Sequence, residues 1–299
     1  MNSKRVLITG ITGLLGKSLV ETNTSNEIYG IYATRKQLPK IYNKIFTKNV
    51  NIIDKSKLRS LFKSKIPEVV IHTAAASDVD WCENNKDEAY KINVQGTENI
   101  INLCREFNSK LIFISSNAVF DGNNSPYQDS SKPLPINYYG TLKSISETEV
   151  SNAGIDFAIA RPILMYGWNN STNRKNPVTW QIDLMKQCKD IQIVDDIYCN
   201  PLYAPQCADV IWKMVEQNTN GFINIAGKNR LSRYEFALQI ADIFGFDKNL
   251  IKPVKNNIFK NLAARPVDTT FKTDRMENEL KIIPMSTLHG LNYMKEKND

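Results

Sequence analysis

Three regularly spaced glycines follow a short apolar run near the start of the chain. Val6-Leu7-Ile8 enters the motif Gly10-x-x-Gly13-x-x-Gly16, and the leucine-rich segment Leu14–Val20 leaves it. Glycine at the first position allows a tight turn, at the second a close approach of phosphate to the backbone, and at the third close packing of a helix on a strand. The free N–H groups that open such a helix favour phosphate. The motif therefore predicts a site for the pyrophosphate of a nucleotide cofactor.

Tyr139 and Lys143 are the pair best suited to acid–base chemistry. A spacing of four residues stacks both side chains on one face of a helix. Tyrosine ionises near pH 10, and a neighbouring ammonium favours its anion, so we expect Lys143 to lower the pKa of Tyr139 toward neutrality. The same spacing occurs at Tyr32–Lys36 and Tyr293–Lys297, but only Tyr139 lies downstream of a predicted strand that ends in Ser115-Ser116. We predict that Tyr139 exchanges a proton with a substrate.

The residues after the second predicted strand bear on the choice of cofactor. NAD enzymes usually place a carboxylate there for the ribose hydroxyls, whereas NADP enzymes place a cation for the 2′-phosphate. Here Ile31-Tyr32-Ala33 runs into Thr34-Arg35-Lys36, with no acidic residue nearby. The planar guanidinium of Arg35 can grip a phosphate, and its alternative role is that of an exposed loop cation. The sequence favours NADP (as NADPH) and leaves NAD open.

Strand-like and helix-like segments alternate through the first half of the chain. Apolar runs predict strands at 5–9, 28–33, 69–73, 110–115 and 157–161, and helical patterns fall at 13–22, 55–64, 86–107 and 137–153. This alternation predicts an α/β fold with a Rossmann-type doubly wound parallel sheet. Ligands bind at the carboxyl ends of such strands, where the residues after Gly10, Tyr32, His72 and Ser115 should converge.

The second half of the chain is less regular. Asn- and Pro-rich loops begin near residue 162, and helical patterns follow near 178–189, 204–218 and 234–244, with a strand at 222–226. We assign residues 1–161, with a return segment near 200–226, to the dinucleotide-binding Rossmann domain. Residues 162–199 and 227–299 are assigned to a smaller mixed α/β C-terminal substrate-binding lobe.

Composition narrows the class of protein. A chain of 299 residues, of which 42% are hydrophobic and 23% charged, can bury a large core. No apolar run approaches the roughly 18 residues that span a bilayer, and the N-terminal region lacks the apolar core of a signal peptide. The five cysteines and two histidines show no metal-ligand spacing. We expect a cytoplasmic protein with reduced thiols, no membrane attachment and no metal.

The net charge of +7 raises the question of a nucleic-acid partner. Lys and Arg are spread along the whole sequence, without a dense basic block or interleaved stacking aromatics. A solvated basic surface is the better interpretation, and we expect no nucleic acid. The same charge suits an anionic substrate such as a nucleotide sugar.

Together, the glycine motif, Ser116 and the Tyr139/Lys143 pair resemble the extended short-chain dehydrogenase/reductase superfamily. Within it, the chain is similar to the dTDP-4-dehydrorhamnose reductase family in several stretches. These stretches are Thr73–Asp80, Ile114–Gly122, Pro126-Tyr127, Tyr139-Gly140-x-x-Lys143, Val194-Asp195-Asp196 and Ala264-Arg265-Pro266. They occur in family order from residue 5 to about 280, so the resemblance covers nearly the whole chain.

The resemblance implies a role for each matching residue. Tyr139 donates a proton to a ketone oxygen, Lys143 supports it and binds the nicotinamide ribose, and Ser116 hydrogen-bonds the substrate carbonyl. The implied cofactor contacts are Gly10, Thr12, Gly13, Leu14, Leu15 and Gly16 at the pyrophosphate, Thr34 and Arg35 at the 2′-phosphate, Asn51 and Ile52 at the adenine end, and Thr73, Ala74 and Ala75 beside the cofactor, with Tyr139 and Lys143. Ser116, Asn117 and Leu164 are implied on the substrate side.

The sequence departs from the family pattern at informative positions. Asn117-Ala118 stands where the family has Asp-Tyr, which questions the rhamnose precursor as substrate but not ketone reduction. Asn51 stands where the family usually has Asp. Asp195-Asp196 match carboxylates that help some relatives bind magnesium at a dimer contact. We interpret them as a solvated loop or cap, and the sequence leaves a homodimer open.

Two classes of function follow from the sequence. The leading hypothesis is an NADPH-dependent reductase of a nucleotide-linked 4-keto-6-deoxy sugar. The alternative is a non-catalytic NADP-binding regulatory subunit, because the β subunit of methionine adenosyltransferase resembles the same family, including at Arg161–Gly167. A reductase or epimerase acting on another nucleotide sugar is a third hypothesis, within the enzyme class.

Overall fold

The structure is a computed structural model that describes residues 3–33, 38–170, 174–259 and 262–297 of the chain. Its strands are β1 (Arg5–Thr9), β2 (Glu27–Tyr32), β3 (Phe46–Asn49), β4 (Val69–His72), β5 (Lys110–Ile114), β6 (Phe157–Pro162), β7 (Met165–Tyr166), β8 (Ile191–Val194), β9 (Tyr198–Cys199), β10 (Leu202–Tyr203), β11 (Gly221–Ile225), β12 (Leu231–Ser232) and β13 (Ile251–Val254).

The α-helices are α1 (Leu14–Thr22), α2 (Lys55–Lys65), α3 (Val79–Asn84), α4 (Lys86–Tyr90), α5 (Gly96–Phe107), α6 (Tyr138–Ser151), α7 (Pro177–Met185), α8 (Ala204–Glu216), α9 (Arg233–Phe244), α10 (Asp274–Asn278) and α11 (Thr287–Glu296). A π-helical turn, Lys91–Gln95, joins α4 to α5. Short 3₁₀ helices lie at Lys40–Lys44, Asn117–Val119, Lys248–Leu250 and Asn256–Ile258.

Seven parallel strands form the central sheet, in the order β3-β2-β1-β4-β5-β6-β11. Val6 on β1 is paired with Ile28 on one side and with Val69 on the other. The strand order reverses between β1 and β4, and in doubly wound sheets a ligand crevice opens at the carboxyl ends of the strands at such a point. The predicted Rossmann-type α/β fold is confirmed.

Side chains alternate between the two faces of this sheet. Val6 and Ile8 of β1 pack in a core that includes helices α1 and α8. Leu7, between them, packs on the other face in a core with α2, α5 and α6. Strands buried on both faces need continuous apolar runs, and this explains why the sequence shows β1 and β5 so clearly.

The smaller C-terminal lobe has a core of its own. Helices α7, α9 and α11 pack there against the parallel pair of β8 and β13, around residues such as Ile182, Phe236 and Leu291. The chain also returns to the main sheet, because β11 lies beside β6, and Met276 and Leu280 pack in the core under α8. The lobe therefore lies against the sheet through several crossings of the chain.

Some elements differ from the sequence-based expectations. Strand β3 and helix α11 were not predicted, and the single helix expected at 86–107 contains the π-helical turn. Asp54 caps α2 by accepting a hydrogen bond from Lys57 N at 3.1 Å, and His72 is buried at the end of β4. Among the described residues, no helix is both long enough and apolar enough to cross a membrane.

Candidate active site

The glycine turn between β1 and α1 is shaped by the three predicted glycines. Gly10 has a φ of +67°, and a Cβ there would lie 2.8 Å from Ala74 N. A Cβ on Gly16 would lie 2.5 Å from Ile11 O. Gly13 differs, because its φ is −67° and a Cβ would come only within 3.3 Å of Gly10 O. The fold itself requires Gly10 and Gly16, whereas Gly13 leaves an open surface that a Cβ would fill.

Gly13 is also the N-cap of α1, and it has no side chain that could cap the helix. The first N–H groups of an α-helix have no intrahelical acceptors. Gly13, Leu14, Leu15 and Gly16 line a large cleft. This arrangement of N–H groups and helix dipole suits an anion, and the residues fit the pyrophosphate of a dinucleotide.

That cleft has a volume of about 560 Å³ and lies at the carboxyl ends of the sheet strands. Such a volume is within the range of small-molecule and cofactor sites. The predicted residues that line it are Gly10, Thr12, Gly13, Leu14, Leu15, Gly16, Asn51, Ile52, Thr73, Ala74, Ala75, Ser116, Tyr139 and Lys143. The structure therefore brings the predicted cofactor contacts and the predicted catalytic residues into one cleft.

Helix α6 positions Tyr139 and Lys143 on the face that looks toward the sheet. Asn137 caps the helix by accepting a hydrogen bond from Gly140 N at 2.9 Å. Lys143 Nζ donates a 2.8 Å hydrogen bond to Ile114 O at the end of β5 and lies 4.7 Å from the centre of the Phe113 ring. Both side chains are buried. Sequence spacing placed them on one face, and the packing of α6 on β5 brings that face to the cleft.

Burial raises the pKa of Tyr139 to about 12 and outweighs the hydrogen bond with Ser116, which acts in the opposite direction. The expectation that Lys143 brings this pKa toward neutrality is therefore wrong. Desolvation of the buried phenol opposes formation of its anion. The consequence is chemically useful, because the phenol is protonated at neutral pH and can act as a proton donor.

Burial lowers the pKa of Lys143 to about 8, against the effect of the Glu147 carboxylate, which favours the charged form. Lys143 is therefore an ammonium at neutral pH. The Lys143 ammonium has three N–H donors. Among the described residues, only the Ile114 carbonyl accepts a hydrogen bond from it. A buried ammonium with unused donors fits the hydroxyl groups of a bound ribose.

Ser116 Oγ accepts a hydrogen bond from Ala118 N at 3.2 Å and donates one to Asn117 Oδ1 at 3.4 Å. The Asn117 amide in turn donates to Thr269 Oγ1 at 2.8 Å. Asn117 and Leu164 are not among the described residues that line the cleft. Leu164 packs against the core under α1 and α8 and against the core of the C-terminal lobe. It lies between Ile163 and Met165, which do line the cleft. The substrate-side roles of Asn117 and Leu164 stay predictions.

At the far end of the cleft, the predicted adenine contacts Asn51 and Ile52 lie after β3. Ile52 is buried and Asn51 is exposed. Tyr32 and Ala33, at the end of β2, line the same end. Thr34 and Arg35, the predicted 2′-phosphate contacts, lie outside the described residues.

Several cleft residues were missed by the sequence-based prediction. They are Ile31, Tyr32, Val50, Ser77, Ile92, Ile114, Ser115, Pro162, Ile163 and Met165. The rule that ligands bind at strand carboxyl ends could have identified Ser115 after β5 and Ile163 after β6. Met165 carries no signal in the sequence, because it reaches the cleft through the pairing of the two-residue strands β7 and β10.

The paired carboxylates of the lobe have local partners. Asp195 Oδ1 lies 2.8 Å from Lys255 Nζ. Asp196 accepts hydrogen bonds from Asn256 N at 3.0 and 3.1 Å, at the start of a 3₁₀ helix. These contacts agree with the interpretation of the pair as a loop and cap.

Comparisons with known proteins point to one family. The model of the RmlD substrate binding domain matches residues 4–297. A dTDP-4-dehydrorhamnose reductase from Bacillus anthracis, solved in complex with NADP, is 28% identical, has a TM-score of 0.86, and overlaps 99% of both chains.

Two curated relatives extend the comparison. The methionine adenosyltransferase 2 subunit beta of Bos taurus is 28% identical over 92% of this chain and 82% of its own length. The probable low-salt glycan biosynthesis reductase Agl14 of Haloferax volcanii is 25% identical over 91% of each chain. Because the family model spans almost the whole sequence and the fold agrees, the chain belongs to the RmlD substrate binding domain family of the extended short-chain dehydrogenases/reductases.

Proposed function

We propose that the protein is an NADPH-dependent reductase of a nucleotide-linked 4-keto-6-deoxy sugar. The observation that carries this proposal is the position of Ser116, Tyr139 and Lys143 in the same cleft as the glycine turn. A proton donor, a hydroxyl and a buried ammonium beside a pyrophosphate site suit the reduction of a ketone. The Bacillus anthracis and Haloferax volcanii relatives, both named as reductases, support the same class of reaction.

The described residues can hold a dinucleotide along the cleft. The first turn of α1 would hold the pyrophosphate, Asn51 and Ile52 would flank the adenine end, and Lys143 would bind the nicotinamide ribose. The dinucleotide, when bound, supplies the hydride that a ketone reduction requires. The small side chains Ala74 and Ala75 leave room at the end of β4.

The chain itself supplies the proton and the polarisation. Ser116 Oγ and the Tyr139 hydroxyl would both hydrogen-bond the ketone oxygen of the substrate. As negative charge develops on this oxygen, Tyr139 delivers its proton and becomes a phenolate. The Lys143 ammonium stabilises this phenolate, which burial alone would disfavour. A phenol with a pKa raised to about 12 begins the reaction in the protonated form that this step needs.

We propose NADPH as the preferred reductant, and NADH is tested beside it in the assay described below. The described end of β2, Ile31-Tyr32-Ala33, offers no carboxylate for the ribose hydroxyls of NAD. Arg35, three residues after Tyr32, is the proposed contact of the 2′-phosphate. The Bacillus anthracis relative was solved with NADP.

The substrate is proposed as a class rather than as a single sugar. Asn117-Ala118 departs from the family pattern next to Ser116. We therefore propose that the contacts to the sugar ring differ from those in the reductases of dTDP-rhamnose and related polysaccharide biosynthesis. The five cysteines are unpaired, which suits a cytoplasmic enzyme that meets its nucleotide sugar there. We propose no nucleic-acid partner. The proposed assembly is a homodimer, which a measurement of molecular mass in solution would test.

An absorbance assay tests the proposal. Purified protein is mixed with NADPH and each member of a panel of nucleotide-linked 4-keto-6-deoxy hexoses, with NADH in parallel. We expect NADPH oxidation with at least one substrate and loss of most of it in Tyr139→Phe. If no nucleotide-linked ketohexose caused oxidation of either nucleotide, the reductase proposal would fail.

A regulatory role is the second candidate, favoured by the similarity to the methionine adenosyltransferase 2 subunit beta. Such a protein would bind a dinucleotide and a catalytic partner without turning over a sugar. Co-purification with a methionine adenosyltransferase, unaffected by Tyr139→Phe, would support it. Turnover of a nucleotide sugar that depends on Tyr139 would support the enzyme instead.

A further inference from the structure

Ser115 is a buried residue of the cleft whose hydroxyl has no role in the mechanism above. It follows the last residue of β5, and its side chain is 3% exposed. Among the described residues, its Oγ has no hydrogen-bond partner, although the residue lines the cleft. A buried hydroxyl without a partner lowers the stability of the folded protein. Because Ser115 lines the cleft, a molecule bound there can supply the missing partner.

The strand fixes the direction of this hydroxyl. Ser115 N donates to Ala160 O at 2.8 Å, so the ladder with β6 continues through this residue. Side chains alternate along a strand, and Ser115 therefore shares a face with Phe113. Lys143 Nζ lies 4.7 Å from the centre of the Phe113 ring. The Ser115 side chain is thus on the α6 side of β5, the side from which Lys143 reaches the end of the strand.

Two polar groups with unused hydrogen-bonding capacity therefore share one corner of the cleft. Lys143 uses one of its donors, on Ile114 O, while Ser115 Oγ can both donate and accept. A hydroxyl or a carboxamide can form hydrogen bonds with Lys143 and with Ser115. The nicotinamide nucleoside carries ribose hydroxyls as well as a carboxamide. The adenine contacts Asn51 and Ile52 lie at the other end, after β3.

We propose that Ser115 is a cofactor-binding residue that hydrogen-bonds the nicotinamide nucleoside half of the dinucleotide, next to Lys143. This inference rests on the proposed dinucleotide site. It adds to the cleft a contact that does not take part in proton transfer. It also explains why a polar residue is buried directly before Ser116.

Calorimetric titration of two ligands tests the inference without any sugar substrate. The ligands are NADP⁺ and adenosine 2′,5′-bisphosphate, which lacks the nicotinamide half. We expect Ser115→Ala to bind NADP⁺ about tenfold more weakly, as loss of one hydrogen bond predicts. The affinity of the bisphosphate should stay unchanged.

Thr287→Val is the matched control. Thr287 is 0% exposed, and its Oγ1 also has no partner among the described residues, but it begins α11 and does not line the cleft. We expect this variant to bind both ligands as the wild type does. Thermal unfolding of ligand-free Ser115→Ala should occur at the wild-type temperature or slightly above it, because the buried hydroxyl has no protein partner to lose. A clear fall in melting temperature would indicate a structural role and overturn the inference.

The outcomes separate this inference from the proposed function. If wild-type protein binds both ligands and Ser115→Ala binds NADP⁺ equally well, only the role of Ser115 is overturned. Equal weakening of both ligands in Ser115→Ala would overturn it too, because the effect would not be confined to the nicotinamide half. If the wild type binds neither ligand, the dinucleotide site itself fails, and the inference with it.

Discussion

The Lys143 ammonium donates a 2.8 Å hydrogen bond to the main-chain carbonyl of Ile114. This bond ties α6 to the end of β5, immediately before Ser115-Ser116. Because Tyr139 lies one turn earlier on α6, the same attachment sets the register between its phenol and the Ser116 hydroxyl. The two side chains of α6 and the Ser116 hydroxyl, which follows β5, are thereby held at one edge of the sheet.

Gly10 and Gly13 should respond differently to substitution by alanine. Gly10→Ala places a Cβ 2.8 Å from backbone atoms of Ala74 at a φ of +67°, so we expect a loss of several kcal/mol of stability or failure to fold. Gly13→Ala should fold, because its Cβ comes only within 3.3 Å of Gly10 O, but should bind NADPH at least tenfold more weakly. Chemical denaturation and fluorescence titration measure the two effects. Normal NADPH affinity in Gly13→Ala would contradict the pyrophosphate site.

Lys143 predicts a pH dependence of activity. Burial lowers its pKa to about 8, so the ammonium that stabilises the phenolate is lost as the pH rises through this value. We expect kcat/KM for reduction to fall above about pH 8. Lys143→Met should have low activity without this inflection. A profile that stays level up to pH 10 in the wild type would contradict the role of the ammonium.

The same shift has a consequence for stability. Between the folded pKa of about 8 and the ordinary value of 10.5, the unfolded chain binds more protons than the folded protein. The contribution of Lys143 to the free energy of unfolding therefore rises with pH between these two values. Below the folded pKa, the destabilisation caused by burying the ammonium is present in full. Denaturation curves of the wild type and Lys143→Met should converge or cross as the pH rises from 8 to 10.5. Parallel pH dependences would contradict this expectation.

The hydrogen bond between Asn117 and Thr269 joins the loop after β5 to the C-terminal part of the chain at 2.8 Å. Thr269→Val keeps the shape but removes the acceptor, so we expect a loss of about 1–3 kcal/mol in stability. We also expect a several-fold rise in KM for the sugar, because the loop carries Ser116. Thr269→Ser keeps the hydroxyl and should behave like the wild type. Equal effects of Val and Ser would show that the hydroxyl is not the cause.

Arg161 on β6 and Glu147 on α6 form a buried ion pair. The guanidinium donates to both carboxylate oxygens, at 2.8 and 2.7 Å, and the side chains of Arg161 and Glu147 are 2% and 3% exposed. Arg161→Met should cost about 3–5 kcal/mol, because it leaves a carboxylate buried without its partner. The double variant with Glu147→Gln should be less destabilised than the sum of the two single variants. Strict additivity in urea denaturation would contradict the coupling.

The sequence predicted the parts of the fold that have strong local signals. Strand β1 and the glycine turn are marked by a buried apolar run and by glycines that the backbone requires. Strand β3 was missed because Phe46-Thr47-Lys48-Asn49 lies at the exposed edge of the sheet, where one apolar residue in four gives no pattern. The π-helical turn at Lys91–Gln95 was missed because it adds only one residue to a helical turn, and the pattern of apolar residues does not reveal so small a change.

The site was predicted unevenly for similar reasons. Motif spacing identified Tyr139 and Lys143, since helix geometry relates residues four apart. It gave the wrong direction for the Tyr139 pKa, because burial depends on how α6 packs on β5. Ser115 was overlooked because an unsatisfied hydroxyl is recognised only from the surrounding atoms. Residues of the lobe such as Met165 depend on long-range packing, for which the local sequence carries no signal.

Transfer of a labelled hydride tests the central claim most directly. NADPH carrying deuterium at nicotinamide C4 is incubated with the protein and the best nucleotide-linked 4-keto-6-deoxy sugar, and the product is examined by NMR. We predict deuterium on the sugar carbon that carried the ketone, with the label transferred far more slowly by Tyr139→Phe. A product without deuterium at that carbon, or equal transfer by Tyr139→Phe, would contradict the account.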